Sequence, residues 1–516
     1  MTYLLGLDLG TSGVKALLLP VTEEPEARTY SATAELTLST PYRGWSEQNP
    51  ADWWTAVRQA IRAVLKISGV ASSEIAGLAT SGQMHGATLL DGAGEVVRPC
   101  ILWNDQRSAP ECAEITEQIG LDRLLEWVGN PALAGFTAPK LLWVRRHEPE
   151  AWSRTRTVLL PKDYINYRLT GNRTTEMSDA SGTLLFDVAQ RCWSGKMLES
   201  LGLSPELLPS VHLSTDQVGQ VCAQAARETG LRQGTPVAAG GADNACAAVG
   251  MGVVRPGESM ASLGTSGTVL APTARAEVDP AGRLHTFCHA VADTWYVMGV
   301  VLSAGGSLRW FRDTLAQPER QIALSEGRDP YQIMLEACAA VPAGSEGLLF
   351  LPYLTGERTP HGDPHARGVF FGLSLRHTRA HLTRSVIEGV AYALADSMEL
   401  MRRLGLDVAL VRATGGGARS ALWMQILADV LETRVATALT DTGPSLGAAI
   451  LAGVGTGVYP DVPAATESLV NMHTAREPGE QVGLYRGYRT LHQRLYPALQ
   501  EHFGALAALA EQQPRL

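Results

Sequence analysis

The chain has 516 residues, 45% of them hydrophobic and 18% charged, which is enough to bury more than one core. Its formal net charge of −9 comes without the clustered Lys and Arg that nucleic acid or an anionic membrane demands, so neither is expected as a partner. The seven cysteines form no CxxC pair, which suggests neither a zinc site nor a disulfide framework and fits a reducing cytoplasm. Met1–Leu5 lacks a basic segment and soon meets Asp8, so no signal peptide is expected. No apolar run approaches the length of a membrane span.

The first elements read as two strands, Tyr3–Asp8 and Val14–Leu19, joined through Leu9-Gly10-Thr11-Ser12-Gly13. Apolar and β-branched residues on both sides of a Gly-rich turn predict a hairpin. Asn49-Pro50 then opens a helix, Asn as N-cap and Pro at the first helical position. Trp54, Val57, Ile61, Val64 and Leu65 give it one apolar face. Leu263-Gly264-Thr265-Ser266-Gly267 echoes the first turn about half a chain later, which suggests a duplicated domain. Gly250–Gly257 is the expected crossover between the halves. A long helix is predicted from about Leu382 to Leu404, ended by Gly405, with small residues Gly389, Ala391, Ala393 and Ala395 on its inner face. Pro444–Ala449 predicts a second helix of small residues, and Gly504–Leu516 a terminal helix with a frayed end.

Three Gly-rich segments could bring backbone N–H groups to phosphate: Gly10–Gly13, Gly264–Gly267 and Gly415–Ser420. None fits the Walker A or dinucleotide pattern. One such turn alone reads as structure. Two copies and a third segment, spread over both halves, read as a nucleotide held in a cleft between related domains. Asp8 ends the first strand beside the first turn, where a carboxylate can hold Mg²⁺ through water or simply accept bonds from its own turn. Asp243-Asn244 sits among small residues in Gly240–Ala245. That leaves room for a ligand at the carboxylate, as a kinase base requires. Asp243 could equally be the N-cap of a helix over Asn244–Val249. Gln83-Met84-His85 and Trp103-Asn104-Asp105 combine hydrogen-bonding groups with a ring to stack on, which is what sugars need.

At these residues the chain resembles a known family. Leu7–Lys15 is similar to the N-terminal segment of the FGGY carbohydrate kinases. Trp45–Pro50, Gly82–Gly86, Ile101–Asp105 and Phe136–Leu141 resemble its xylulose-phosphorylating branch. Leu160–Tyr164, Ser262–Gly267, Gly356–His361 and Gly415–Ser420 continue the likeness in order to about residue 455. The resemblance implies an α/β fold of two ribonuclease-H-like domains of the actin, Hsp70 and hexokinase superfamily, with an interdomain cleft. It implies an N-terminal domain over 1–249 with the sugar site and first phosphate turn, a C-terminal ATP-binding domain over 250–455, and a helical extension over 456–516. It implies ATP and Mg²⁺, with Asp243 as base and Asp8 beside the metal. Met84, His85, Trp103, Asp105, Asp243 and Asn244 would line the sugar site, and Thr11, Gly264, Thr265, Gly305, Gly416 and Gly417 would surround ATP. Ala242 departs from the family, which often has Gly there. The implied partners are a small sugar and ATP, and the resemblance leaves room for a homodimer. Rival readings are another kinase of the family, acting on ribulose, glycerol, gluconate or a related polyol, a non-kinase actin-like ATPase, and an inactive sugar sensor.

Overall fold

The computed structural model describes residues 1–22, 28–439 and 443–511. In the N-terminal half the strands are β1 (Thr2–Leu9), β2 (Gly13–Val21), β3 (Tyr30–Glu35), β4 (Ile75–Gly82), β5 (Gln217–Gln220) and β6 (Pro236–Ala242). They form one sheet in the order β5-β6-β4-β1-β2-β3. β1, β2 and β3 are antiparallel, and β4 and β6 run parallel to β1 on its other side. The expected hairpin closes with Leu9 opposite Val14. Helix α1 (Pro50–Ser68) starts as predicted, Asn49 accepting the Ala51 N–H at 3.0 Å. Trp54, Val57, Ile61 and Val64 are buried on its inner face.

Helices α2 (Thr137–His147) and α3 (Pro161–Thr170) lead to α4 (Asp243–Gly250), which follows β6 directly. The second half repeats the plan with β7 (Glu258–Leu263), β8 (Gly267–Thr273), β9 (His285–Cys288), β10 (Trp295–Val301), β11 (Leu410–Thr414) and β12 (Arg434–Thr437). The sheet order is β9-β10-β8-β7-β11-β12. β7, β8 and β10 are antiparallel, and β11 and β12 parallel to β7. β7-β8-β10-β11-β12 therefore matches β1-β2-β3-β4-β6 strand for strand. The sixth strands, β5 and β9, are added at opposite edges. This duplication is the ribonuclease-H-like pair that the resemblance implied.

Between the strands of this half lie α5 (Gly305–Thr314), α6 (Pro330–Ala339), α7 (Arg379–Arg403) and α8 (Ala421–Leu431). The long predicted helix, α7, begins three residues earlier than expected, and Gly405 takes φ +81° just beyond it. α9 (Pro444–Gly455) belongs in sequence to the second half but packs on the first sheet. Gly6 on β1 lies against the Ser445 carbonyl, and Gly447 against the Cys246 carbonyl of α4, where a Cβ would collide with backbone. The small residues of α9 thus let three backbones meet.

The terminal helix α10 spans Val482–Glu511, far longer than the stretch from Gly504 that sequence suggested, and residues 512–516 lie outside the described region. Gly483, Gly487, Pro497 and Gly504 obscure it in sequence. Tertiary contacts outweigh them: the Tyr485 hydroxyl donates to Glu388 at 2.9 Å, Tyr496 to Asp363 at 2.9 Å, and His492 bonds the Phe350 carbonyl at 3.2 Å. Among the described residues no helix is long and apolar enough to cross a membrane.

The contact between α9 and α4 ties a helix of the second half to the first. Overpacking a tight site costs about 1–3 kcal/mol, and backbone cannot swing aside. G447A should therefore lower the stability measured by urea unfolding by that amount; an unchanged urea midpoint would show that the contact yields freely.

Candidate active site

The cleft is built from strand ends. β1 delivers Asp8, β4 runs into Gln83-Met84-His85, and β6 ends where α4 begins, at Asp243. The helix starts one residue earlier than the sequence reading placed it. Ala242 is the N-cap and Asp243 the first helical residue, so the capping role offered for Asp243 does not apply. Asp243 Oδ1 instead accepts from the Asn244 N–H at 2.7 Å and the Asn244 side-chain amide at 2.9 Å. Oδ2 has no hydrogen-bond partner among the described residues. Behind the base, the Ala242 N–H donates to Ser178 Oγ at 2.9 Å, and that hydroxyl donates to the buried Glu176 at 2.8 Å.

Burial first, then the charge of Asp8, pushes the Asp243 carboxyl up to about 7. Asp8 itself is raised to about 6 by burial, against the pull of Ser81 and Lys15. Its Oδ1 is buried without a hydrogen bond. A carboxylate poised near neutral pH, with one oxygen fixed and one free, suits proton abstraction.

His85 takes the left-handed φ of +70°, unusual for a residue with a Cβ. Its carbonyl is held by the Lys140 ammonium at 2.8 Å and the Thr137 hydroxyl at 3.1 Å, both from α2. Its Nδ1 lies 2.6 Å from the Gly182 carbonyl. A carbonyl can only accept, so Nδ1 carries the proton and Nε2 is left as an acceptor. Burial, and next the Lys140 charge, hold the imidazole well below its ordinary value, so it is neutral. Met84 is buried beneath, its sulfur 3.9 Å from the Asn244 amide. Trp103 keeps 37% of its surface exposed, and its indole N–H donates to Thr11 Oγ1 at 3.0 Å.

Two sequence expectations change here. The Thr11 hydroxyl, assigned to ATP, donates to Gln83 at 2.9 Å and accepts from Trp103, so it ties the first turn to the sugar side. Asp105, assigned to the sugar, is completely buried. Its carboxylate is taken up by Arg107 at 2.7 Å and the Ser46 N–H at 2.6 Å, and Arg107 stacks over Trp45. It braces the loop that carries Trp103.

On the other wall, Gly264, Thr265, Gly305, Gly416 and Gly417 line a single cavity of about 680 Å³; Thr11, grouped with them in the sequence, is not in its lining. The Gly305 N–H donates to the Gly264 carbonyl at 2.8 Å, and the Ala304 and Gly306 N–H groups to the Thr265 carbonyl, each at 3.0 Å. Gly305 therefore lets turn and helix close up rather than offering its own N–H to phosphate. Sequence reasoning missed Tyr331 and Leu335 of α6 and Trp423 of α8, which supply the apolar wall of the same cavity.

Residues 3–250 match the N-terminal domain of the FGGY family of carbohydrate kinases, and residues 259–456 match its C-terminal domain. The chain belongs to the FGGY carbohydrate kinases. It is 41% identical over 497 residues to the xylulose kinase of Bacillus subtilis, covering 96% of this chain and 97% of that one. The xylulose kinase of Escherichia coli is 40% identical, covering 96% and 99%. The crystal structure of xylulose kinase from Rhodospirillum rubrum superposes with a TM-score of 0.88 at 32% identity, covering 97% and 100%. As an FGGY kinase the chain is a phosphotransferase that carries a phosphoryl group to a sugar hydroxyl.

Because the Asp8 charge adds to burial in raising Asp243, D8N should lower the Asp243 pKa from about 7. Carboxyl ¹³C NMR of the ligand-free protein, assigned with D243N, reads it directly. An Asp243 titration unmoved in D8N would leave burial as its sole cause.

Proposed function

We propose that this FGGY kinase transfers the γ-phosphoryl group of ATP to D-xylulose, giving ADP and D-xylulose 5-phosphate. One observation carries the chemistry: Asp243 holds Oδ1 against Asn244 and leaves Oδ2 free, while the second half supplies a nucleotide-sized cavity. Oδ2 takes the proton of the terminal hydroxyl as that oxygen attacks phosphorus. His85 Nε2 accepts from a second sugar hydroxyl, and the exposed indole of Trp103 covers an apolar edge of the sugar. The backbone around Gly264-Thr265 and Gly416-Gly417 cradles the phosphates. The choice of D-xylulose rests on identity near 40% to the two xylulose kinases, together with the Gln83-Met84-His85 and Trp103-Asn104 segments. The seven cysteines, all unpaired, suit work in a reducing cytoplasm.

The cleft also fits Mg²⁺. Asp8 Oδ1 is a buried oxygen without a partner, and Asp243 stands close enough for its titration to feel the Asp8 charge. Among the described residues no group of three or more His, Cys, Asp or Glu could cage a metal alone. That suits an ion that keeps several waters and binds through one or two carboxylates plus substrate phosphates. Asp8 would hold it. When bound, Mg²⁺ neutralises charge on the β- and γ-phosphates.

A coupled ADP-release assay over D-xylulose, D-ribulose, glycerol and gluconate should give D-xylulose the highest kcat/KM. Any of the others ahead by more than tenfold would remove the substrate assignment and leave the family intact. D243N keeps the shape and loses the base. A general base contributes roughly 10²–10⁴-fold, so kcat should fall by about that factor while D-xylulose affinity changes far less. A kcat within about fivefold of the parent enzyme would falsify the role of Asp243.

A further inference from the structure

The segment Gly356–His361 holds a charge that the mechanism above leaves unused. Glu357 Oε1 accepts from the Leu302 N–H at 2.9 Å and the Arg358 N–H at 2.7 Å. Thr359 donates its N–H to the Val300 carbonyl at 3.0 Å, and its hydroxyl accepts from the Val300 N–H at 3.0 Å while donating to the Arg283 carbonyl at 2.9 Å. Arg358 is thus clamped on both sides to the carboxyl end of β10. That end pairs with the second Gly-rich turn, Val301 opposite Gly267, and runs on into α5 at Gly305.

No group of the described chain bonds the side chain held between these clamps, and its nitrogens open to the cleft. Among the described residues the Arg358 guanidinium makes no hydrogen bond and no ion pair, although it is half-buried. Its neighbour Glu357 is buried, its Oε1 is already taken up by two backbone N–H groups, and it makes no ion pair with the guanidinium; burial pushes that carboxyl up to about 8. Structural arginines of this fold look different. Arg107 forks onto Asp105 and Glu47, and Arg384 binds Glu388 at 2.8 Å and the Tyr485 hydroxyl at 3.0 Å. A guanidinium offers five donors and never loses its charge, so a half-buried one whose donors are all open to the cleft is placed to take an anion. The position of Arg358 indicates which one. Its backbone is held to the strand end that pairs with the second Gly-rich turn, and its field reaches His85 of the N-terminal half as well as His285 of β9, where, after burial, it helps to depress both imidazoles.

We propose that Arg358 is a further catalytic residue, whose guanidinium holds the oxygens of the phosphoryl group in transfer and then the phosphate ester of the product. In that step the bond from the γ-phosphorus to the bridging oxygen of ADP breaks and a bond to the sugar oxygen forms. The hydroxyl proton goes to Asp243 Oδ2, ADP leaves, and Arg358 changes no bond of its own. The fork geometry of a guanidinium matches a phosphoryl group in a way that a lysine cannot. The inference rests on the sugar lying between His85 and Asp243, as in the proposed function.

The test compares the parent enzyme with R358Q and R358K. Removing one preorganised charge-stabilising donor typically costs roughly 10²–10³-fold in kcat, and R358Q should lose about that much. R358K should recover only part of it. Calorimetric affinity for D-xylulose should stay within about threefold in R358Q, while affinity for D-xylulose 5-phosphate falls at least about tenfold, as expected when a desolvated charge pair to the ester is lost. The ratio of the two affinities separates the roles, because a purely structural arginine would weaken both together. Equal losses for sugar and sugar phosphate, or a kcat within about fivefold of the parent, would overturn the proposal. If R358Q does not fold, the same ratio is measured on R358K, and equal losses there overturn the proposal too. The parent enzyme is assayed first. Should it prefer another sugar, the D-xylulose assignment fails separately, and the Arg358 comparison is made with that sugar and its phosphate.

Discussion

Asp8 near the end of β1 and Asp243 just beyond β6 lie at the same end of one sheet, with β4 between those strands, and the charge of the first makes ionising the second harder. Two carboxylates set side by side in a partly dry cleft are a standing cost to the fold. The architecture around them makes sense as a response to it. Asn244 directs both its N–H and its side-chain amide at Asp243 Oδ1, which lowers the cost of charge there and fixes the direction of Oδ2. The small residues of Gly240–Ala245 let the strand turn straight into α4, whose N-terminal dipole also favours negative charge. The Ser178–Glu176 pair holds the last peptide of β6 in place, so the base does not drift.

The duplicated fold divides the labour. The first half supplies Asp243, His85 and Trp103, to which the proposed function gives the base and the sugar side. The second supplies the cavity lined by Gly264, Gly416 and Trp423. Both use the same device, a hairpin turn at the end of the central strand. The two turns have nevertheless diverged. In the first, the Thr11 hydroxyl is consumed by Gln83 and Trp103. In the second, the carbonyls of Gly264 and Thr265 are consumed by the start of α5. The same four residues thus bind Gln83 and Trp103 in one half and the start of α5 in the other. α9, which belongs in sequence to the second half, is held by close backbone contact to β1 and to α4 of the first, so Gly6 and Gly447 help to fix the helix that begins at Asp243.

Sequence alone disclosed what is local. The hairpins, the Asn49 cap and the Gly-rich loops are written in adjacent residues, and the echo between residues 9–13 and 263–267 disclosed the duplication. The direction of a side chain was not legible. Asp105 lies in a polar, aromatic segment that reads as sugar-binding, yet its carboxylate turns inward because Arg107, two residues on, offers a better-matched partner in a buried place. Tyr331, Leu335 and Trp423 carry no pattern beyond ordinary apolar helix faces, so their place in the nucleotide wall emerges only from tertiary packing. The long terminal helix was hidden by its own Gly and Pro, whose local penalty is offset by Tyr485, His492 and Tyr496.

The base is at once restrained and ready. At pH 7 a carboxyl held near 7 is divided between its two forms, so neither proton uptake nor release is strongly uphill. The phosphates of an incoming nucleotide add negative charge and favour the protonated, inactive form. A cation beside Asp8 does the opposite. The ionised base is therefore more populated with nucleotide and cation together than with nucleotide alone, and bare ATP would tend to silence it. That coupling needs no moving part. It follows from placing the carboxylate that faces the cation and the carboxylate that faces the sugar two strands apart on one sheet.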